Sequence, residues 1–322
     1  MSSRRSQKYQ SRHVDREPEE EVQQDITNQL PFTTTNTLEP SQIIKLYEHS
    51  FRSVLESPDL LDHVQTVKGD LFNRDYITAF SDEDRRLAYV ARWTPYRSLC
   101  YASLFSSLEP IVELFKNNDN TSNVLCVGGG AASEYVALVS VFSRLRNSSN
   151  SGILSAQIID IADWSSIINS IEKYVKSYWI HNPDKLLTDF VHDDILKLNN
   201  SRINFESLDL ITLLFTTNEL FAEKRPETIK FLQHLNSNCK SGSLLLIAES
   251  AGSFSNITIG TKKFPVQFLV DMVLVGKPGE DNGAWEIIEE SESCWYRINP
   301  KEVDYALKLE NMRFFFRLYR KK

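Results

Sequence analysis

The stretch NVLCVGGGAASEYVAL, residues 123–138, decides how this chain is interpreted. A short apolar run leads into three consecutive glycines, and the residues after them have the pattern of a helix. A tight turn from a strand into a helix explains one or two glycines, whereas three indicate backbone that must lie close to a ligand. The stretch therefore predicts a ligand-binding loop at the carboxyl end of a parallel strand.

The glycine loop lacks the residues that phosphate-binding loops require. The dinucleotide fingerprint G-x-G-x-x-G needs a third glycine at position 133, which is Ser133 here, and Glu134 would lie near any pyrophosphate. No Gly-Lys-Ser or Gly-Lys-Thr follows, so a P-loop is excluded. We therefore predict that Gly128, Gly129 and Gly130 bind a ligand other than a dinucleotide or a nucleoside triphosphate.

After residue 123, short apolar runs alternate with longer helical segments, which is typical of a parallel sheet built from crossover units. The predicted parallel strands are 123–127, 156–160, 188–192, 208–215 and 242–249. A segment at 294–298 and the final stretch ENMRFFFRLYRKK predict an antiparallel finish. The predicted fold class is α/β, with a mostly parallel, doubly wound sheet and an antiparallel C-terminal strand.

The residues before the sheet have a different pattern. Helical apolar spacing predicts a helical N-terminal region at 36–118, before a domain at 119–322. Pro95 predicts a break in its second long helical stretch, with Trp93 and Arg97 flanking a kink or turn. Residues 1–35 are rich in charge and poor in apolar side chains, which predicts a disordered tail.

Composition excludes several classes of protein. The net charge of -7 argues against a general cationic coat for nucleic acid, although it leaves room for a local basic face. The four cysteines form no CxxC pair and have no histidine at zinc-finger spacing, so we expect no metal. No segment has the length of a bilayer span and no apolar leader opens the chain, so we expect an intracellular protein without a membrane partner.

Polar residues follow the other predicted strands. Asp160 ends the second strand, where a carboxylate can accept both hydroxyls of a ribose, and Asp194 after the third is the predicted acceptor for an adenine amino group. Thr216, Asn218 and Glu219 follow the fourth strand. Asn218 offers a donor and an acceptor to a planar amide or imide, and Glu219 could accept a proton if burial raised its pKa. Covalent catalysis has no visible nucleophile, because no G-x-S-x-G elbow is present and no cysteine follows this strand.

This arrangement of a glycine loop, two acids and a polar cluster after successive strands resembles a class I S-adenosylmethionine-dependent methyltransferase. The blocks VLCVGGGAASE, FTTNELF, ARWTPYRSLCYA and WYRI to KLENMRFFFRLYRKK narrow the resemblance. They are similar to the fungal 25S ribosomal RNA uridine-N3 methyltransferase family over roughly residues 70–322.

The resemblance implies a Rossmann-like fold with S-adenosyl-L-methionine as the cofactor. Gly128 and Gly130 would shape the methionine end of the pocket, Asp160 would hold the ribose and Asp194 the adenine. Gly129 and Thr216 are further expected cofactor-binding residues. Asn218 and Glu219 would face the reacting centre. Many methyltransferases carry an acid before the first glycine, where this chain has Val127, so the partner of the cofactor's amino group stays open between Ser133 and Glu134.

The resemblance also implies a biological role. The expected reaction is methylation of N3 of a uridine in large-subunit ribosomal RNA, as part of ribosomal RNA processing and ribosome biogenesis. The expected partner is ribosomal RNA or a pre-ribosomal particle, the expected state is a monomer, and the expected location is the nucleus or nucleolus, with the cytoplasm as the alternative. Two other functions stay open, a methyltransferase acting on a protein or small molecule and a non-catalytic assembly factor that kept the fold.

The surface that binds RNA is predicted less sharply. The last ten residues carry five basic side chains, among them Arg313 and Arg317, interleaved with aromatic ones. Such a mixture suits phosphate contacts and base stacking, but a final strand with aromatic residues inward and arginines outward explains it equally well. Arg97 in the helical region is a further predicted RNA contact.

Overall fold

The predicted disordered tail, residues 1–35, is wrong for its last residues, 29–35. The computed structural model describes residues 29–116, 121–146, 152–197, 202–252, 256–259, 261–280 and 282–322. The predicted disorder of residues 1–28 lies outside these ranges. From residue 29 onward the chain is packed, because the Leu30 amide donates to the Trp295 carbonyl at 2.8 Å and Leu30 and Phe32 pack against the core. These two apolar side chains bury surface in a segment whose overall composition predicts disorder.

Nine strands are found in the described residues, and they form two sheets. Their bounds are β1 Thr121–Val127, β2 Ile153–Asp160, β3 Leu186–His192, β4 Leu210–Leu214, β5 Leu244–Ser250, β6 Asn256–Ile259, β7 Lys262–Pro265, β8 Trp285–Tyr296 and β9 Met312–Lys321.

The helices are distributed around these strands. Their bounds are α1 Pro40–Ser50, α2 Arg52–Leu55, α3 Leu60–Phe72, α4 Tyr76–Ala79, α5 Glu83–Ser107, α6 Glu109–Lys116, α7 Ser133–Leu145, α8 Ser165–Tyr178, α9 Thr217–Glu223, α10 Arg225–Asn238 and α11 Val266–Leu274. Two short 3-10 turns, Pro183–Lys185 and Phe205–Ser207, precede β3 and β4.

The main sheet has seven strands in the order β3–β2–β1–β4–β5–β9–β8. Strands β1 to β5 are parallel, β9 is antiparallel to β5, and β8 is antiparallel to β9. The chain moves outward in one direction from β1 to β3 and returns to the other side of β1 with β4. This reversal is a topological switch point, where open α/β sheets form a crevice at the carboxyl ends of their strands. The predicted fold class is confirmed.

Side chains of β1 alternate between two cores, one on each face of the sheet. Val124 and Cys126 join the core that also contains residues of α1, α5, α7 and α8, whereas Leu125 and Val127 join the core formed with α10 and α11. A strand buried on both faces must be apolar throughout, which explains the continuous run in this part of the sequence. The helical region before β1 therefore shares a core with the sheet.

Helix α5 corrects the predicted break at Pro95. It runs without interruption from Glu83 to Ser107, with Pro95 inside it. A proline provides no N–H for the carbonyl four residues earlier, which is that of Ala91. The hydroxyl of Tyr305 donates to this carbonyl at 2.9 Å and replaces the missing hydrogen bond. Because this partner lies 214 residues away in the chain, local sequence could not predict it.

Candidate active site

The glycine loop makes a sharp turn between β1 and α7. Gly128 has φ +69°, which lies in the left-handed region, and its amide donates to the Ile159 carbonyl of β2 at 2.9 Å. A Cβ atom on Gly128 would lie 2.5 Å from the Thr216 side chain. The loop thus passes directly against the residue that follows β4, so the carboxyl ends of the two central strands are in contact.

Asp160 and the glycine loop form one hydrogen-bonded unit. The Gly130 amide donates to Oδ2 of Asp160 at 3.0 Å, and the Ala162 amide donates to Oδ1 at 2.9 Å. A Cβ atom on Gly130 would overlap the Trp164 indole and lie 2.6 Å from Asp160 Oδ2. The Trp164 Nε1 atom is buried and lies beside the Asp160 carboxylate. The structure therefore brings together the loop after β1, the acid after β2 and the Trp164 indole.

Glu134, in the first turn of α7, turns inward below the loop. Its Oε1 accepts the Leu214 amide of β4 at 3.1 Å, and the buried carboxyl also interacts with the side chains of Thr212 and Cys126. Burial raises the pKa of Glu134 to about 8. Oε2 lies 2.8 Å from the position that a Cβ on Gly129 would occupy, so this carboxyl lies under the glycine loop.

Asp194 lies at the same edge, after β3. It is 8% exposed, and its Oδ1 accepts the Leu196 amide at 3.0 Å. Its Oδ2 accepts a hydrogen bond from the Lys224 ammonium at 2.7 Å. The loop is tied to β2 because the Asp193 amide donates to the Asp160 carbonyl at 3.0 Å. The adenine-binding role of Asp194 stays a prediction, with Lys224 as a partner that the sequence did not indicate.

The polar residues after β4 are held by an unusual backbone. Phe215 has φ +60°, a conformation that costs energy for a residue with a large side chain and that often occurs at functional sites. The Thr216 hydroxyl donates to the Val127 carbonyl at 3.2 Å, which fixes the start of α9 against β1. Asn218 is anchored by Glu249, whose carboxylate accepts its backbone amide at 3.2 Å and its Nδ2 at 2.7 Å.

Glu249 is a site residue that the sequence interpretation missed. It lies near the carboxyl end of β5, at the end of the predicted strand 242–249, and is only 3% exposed. An acid that ends a buried apolar strand is the same signal that identified Asp160, and it was available here. Its two contacts with Asn218 fix the orientation of that side chain at the edge of the sheet.

Two carboxyl groups in this cluster have strongly raised pKa values. Burial, and after it the charge of the nearby Glu249, raise the pKa of Glu219 to about 8. Burial likewise raises the pKa of Glu249 to about 7, against the lowering effect of hydrogen bonds from backbone amides. A carboxyl that titrates near neutral pH can take up or release a proton under physiological conditions, which is the property required of a general base.

Arg97 reaches the same cluster from helix α5. Its Nη1 donates to the Tyr89 hydroxyl, and its guanidinium carbon lies 5.5 Å from the centre of the Tyr89 ring and 5.8 Å from that of Phe215. The guanidinium thus lies inside the site, between the helical region and the end of β4. Its predicted contact with RNA stays a prediction.

The C-terminal strand corrects the RNA-binding interpretation of its aromatic residues. Phe314 and Phe316 belong to one core and Phe315 and Tyr319 to the other, so these rings are not available for stacking on bases. β9 is covered on both faces of the sheet. It therefore also differs from the predicted alternative of a strand with aromatic residues on one face and solvent on the other.

The two arginines of β9 differ in their surroundings. Arg317 is 4% exposed and forms ion pairs with Glu290, Glu292 and Asp271. Because its charge is buried and compensated by these acids, the prediction that it contacts RNA is wrong. Arg313 is exposed and its Nε donates to the Ser293 hydroxyl at 3.0 Å, so its contact with RNA stays a prediction.

The described residues contain neither a candidate metal cluster nor a membrane-spanning helix. No group of three or more histidine, cysteine, aspartate or glutamate side chains within the described ranges could hold a metal ion. No helix in the described part of the chain is long and apolar enough to cross a lipid bilayer.

The order of the strands and the residues at their carboxyl edge define the class I methyltransferase fold. Residues 47–320 match the model of a family described as "Putative SAM-dependent methyltransferase", and the chain belongs to this family. The 25S rRNA (uridine(2843)-N(3))-methyltransferase of Saccharomyces cerevisiae is 43% identical to the chain, and the alignment covers 90% of this chain and 88% of the yeast protein.

Solved structures with a similar fold include two further methyltransferases. A SAM-dependent methyltransferase from Methanosarcina mazei has a TM-score of 0.41 and 13% identity, covering 66% of this chain and 98% of its own. An O-methyltransferase family protein from Burkholderia thailandensis has a TM-score of 0.41 and 16% identity, covering 83% of this chain and 74% of its own.

The site fits the cofactor of this family. The glycines at 128–130 let the loop lie tightly against the side chains of Thr216, Glu134 and Trp164, and Asp160 would supply the carboxylate for two ribose hydroxyls. The indole nitrogen of Trp164 is buried beside Asp160, and the Glu134 carboxyl is buried under the loop, so polar groups line this edge of the sheet. No lysine follows the glycines, in agreement with an adenosine that carries no phosphates.

Proposed function

We propose that this methyltransferase transfers a methyl group to N3 of a uridine in large-subunit ribosomal RNA. The observation that carries the proposal is the half-buried Glu219 beside Asn218 and Glu249, at the switch point of a family member that is 43% identical to a uridine-N3 methyltransferase. A reaction at an imide nitrogen requires a proton acceptor and exact alignment, and this cluster supplies both.

The chemistry of the acceptor explains why a carboxyl group is needed. S-adenosylmethionine, bound by the glycine loop and Asp160, supplies an electrophilic methyl group on a sulfonium sulfur. N3 of uracil carries a hydrogen, which must leave as the nitrogen forms its new bond to carbon. Glu219 takes this proton, and Asn218, held by Glu249, orients the planar imide through hydrogen bonds. The base must be unpaired or flipped out of its helix to reach Glu219.

The cysteines argue for nitrogen rather than for carbon 5 of the pyrimidine as the acceptor. Methylation of that carbon uses a thiolate nucleophile, and all four cysteines of this chain are buried. Burial is the main cause that raises the pKa of each thiol above its usual value. A buried, protonated thiol is a poor nucleophile, so the site is suited to direct transfer.

The proposal extends to the setting of the reaction. Its target implies work on ribosomal RNA or on a pre-ribosomal particle, in the nucleus or nucleolus, by a monomer of this chain. Arg313 is the exposed basic residue that we assign to contact with RNA. The net charge of -7 means that any such contact is local, because the molecule as a whole repels phosphate.

The proposal is tested with purified protein and ribosomal RNA from cells that lack the gene. After incubation with S-adenosylmethionine, mass spectrometry of the digested nucleosides should show N3-methyluridine. A matched reaction with the Glu219→Gln variant should show none. Methyl transfer to a protein or small molecule instead of RNA would support the first alternative, and binding to pre-ribosomes without any transfer would support an assembly factor.

A further inference from the structure

Arg97 is a half-buried cation that forms no ion pair among the described residues. Its Nε atom is buried and has no hydrogen-bond partner among the described residues. Its Nη1 donates a hydrogen bond to the hydroxyl of Tyr89, a neutral phenol whose pKa burial raises further. Within the described ranges, ion pairs to other arginines are found, such as those of Arg317, but none to Arg97. A charge that is partly removed from water is stabilised by an anion, so this guanidinium is suited to an anionic partner.

The neighbours of Arg97 place it over the methionine end of the cofactor pocket. The adjacent Ser98 donates through its hydroxyl to the Ser133 carbonyl at 3.1 Å, which ties this turn of α5 to the start of α7. On the other side, Phe215 lies under the guanidinium and immediately precedes Thr216, which touches the glycine loop. The cation is therefore held between the loop after β1 and the residues after β4.

The nearby acids do not satisfy this cation. Burial raises the pKa values of Glu219 and Glu249, and the positive charge of Arg97 lowers both by a smaller amount. The Glu249 carboxylate accepts hydrogen bonds from Asn218 and from neighbouring backbone amides. Neither Glu219 nor Glu249 forms an ion pair with Arg97 in the described structure. The guanidinium is thus close to the reacting centre with part of its donor fork directed at no protein acceptor.

We propose that Arg97 binds the carboxylate of the amino acid end of S-adenosylmethionine. This carboxylate is a permanent anion on the ligand that the family uses, and it belongs to the end of the cofactor that meets the glycine loop. The planar guanidinium fork matches a carboxylate with two parallel hydrogen bonds. The stacking of Arg97 on Tyr89 and its bond to the Tyr89 hydroxyl hold the fork in place before the ligand arrives.

The contact explains a feature of the helical region. In this account the glycine loop lies against the methionine end of the cofactor and Asp160 binds its ribose. Neither supplies a positive charge for the carboxylate of the cofactor. Helix α5 supplies that charge from outside the sheet, and the Pro95 turn that Tyr305 stabilises lies two residues before Arg97. The region before β1 therefore completes the cofactor site.

Binding measurements with two ligands test the proposal without depending on methyl transfer. Isothermal titration calorimetry compares S-adenosylhomocysteine, which has the carboxylate, with 5′-methylthioadenosine, which has the same adenosine and thioether but no amino acid end. Arg97→Gln should weaken S-adenosylhomocysteine binding by about 30-fold or more, because one partner of a desolvated charge pair is lost. It should change 5′-methylthioadenosine binding by less than about threefold.

Matched variants separate this contact from loss of structure. Arg97→Lys should retain part of the S-adenosylhomocysteine affinity, because it keeps the charge and loses the fork. Arg92→Gln, on the same helix and paired with Glu310, should leave both affinities unchanged. Asp160→Ala should weaken both ligands, since both contain the ribose.

Two results would overturn the proposal. Equal weakening of both ligands by Arg97→Gln would mean that Arg97 supports the pocket as a whole and not the carboxylate. Unchanged binding of both ligands with lost methylation would mean that Arg97 acts on the methyl acceptor. The second result would not contradict the proposed function of the parent protein as an RNA methyltransferase. The two proposals can therefore fail separately.

Discussion

The Gly130 amide donates a hydrogen bond to the Asp160 carboxylate at 3.0 Å, which links the loop after β1 to the acid after β2. This bond holds the carboxylate at the crevice while the Ala162 amide holds its other oxygen at 2.9 Å. The acid is thereby positioned before any ligand binds, and its remaining acceptor sites can take two ribose hydroxyls.

Asp160→Ala should abolish binding of the cofactor. Loss of two hydrogen bonds to a charged acceptor should weaken S-adenosylhomocysteine binding by about 100-fold or more in calorimetric titration. The matched control is Asp163→Ala. It removes an exposed acid three residues later, whose carboxylate accepts hydrogen bonds from the amide and hydroxyl of Ser165. Equal affinities of the Asp160 variant and the parent protein would show that the ribose lies elsewhere.

Gly130→Ala should damage the same pocket through its shape. The new Cβ would overlap the Trp164 indole and approach Asp160 Oδ2 to 2.6 Å, so the indole or the acid must move. We expect lower affinity for S-adenosylhomocysteine and a lower melting temperature. Gly69→Ala in α3 is the matched control, because nothing lies within 4 Å of its Cβ, and it should stabilise the fold by about 0.5–1 kcal/mol. A Gly130 variant that binds as well as the Gly69 variant would show that the loop does not touch the ligand.

Glu219→Gln should abolish methyl transfer while the affinity for S-adenosylhomocysteine persists, because the amide cannot accept the N3 proton. Burial and then Glu249 raise the pKa of Glu219 to about 8, so its basic form increases as pH rises. The single-turnover rate of the parent protein should therefore rise with pH through about 8. The charged groups that set this value are Glu249, Asp160, Arg97 and Glu223. A rate that falls over this range would exclude Glu219 as the proton acceptor.

The stability of the protein should decrease as pH rises from about 5 to 8. Burial raises the pKa of Glu134 from 4.5 to about 8, so the folded protein keeps a proton that the unfolded chain releases in this window. The stabilisation is complete below the unfolded pKa and is lost as pH passes the folded one. Denaturant unfolding of Glu134→Gln should show a weaker pH dependence than the parent, by an amount on the order of a few kcal/mol across the window. Identical pH dependence in both proteins would show that Glu134 ionises normally in the fold.

Much of the fold could be predicted from local sequence because its strands are buried and bounded by polar residues. The run ending at Val127 and the run ending at Asp160 end where the structure ends β1 and β2. β8 was predicted at 294–298 but runs from Trp285 to Tyr296. Its acidic, half-exposed first part and two irregularities in its pairing with β9 hide the pattern of a buried strand.

The site could be predicted at the level of its edge but not of its contacts. The rule that ligands bind at the carboxyl ends of parallel strands placed Asp160 and the glycine loop together, and their hydrogen bond is in the structure. The anchoring of Asn218 by Glu249 and the pairing of Asp194 with Lys224 join residues 30 or 31 positions apart. The burial of Arg317 depends on acids from other elements. Such contacts follow from tertiary packing, which no local spacing encodes.

Complementation in yeast tests the central claim most directly. The host is a Saccharomyces cerevisiae strain that lacks the 43% identical methyltransferase. This chain and its Glu219→Gln variant are expressed in it at equal levels. Nucleoside mass spectrometry then measures N3-methyluridine in the 25S ribosomal RNA. The account predicts that the chain restores N3-methyluridine and that the variant, folded and able to bind S-adenosylhomocysteine, does not. Restoration by both proteins would contradict the role of Glu219, and restoration by neither, with the purified chain also inactive on that RNA, would contradict uridine-N3 methylation itself.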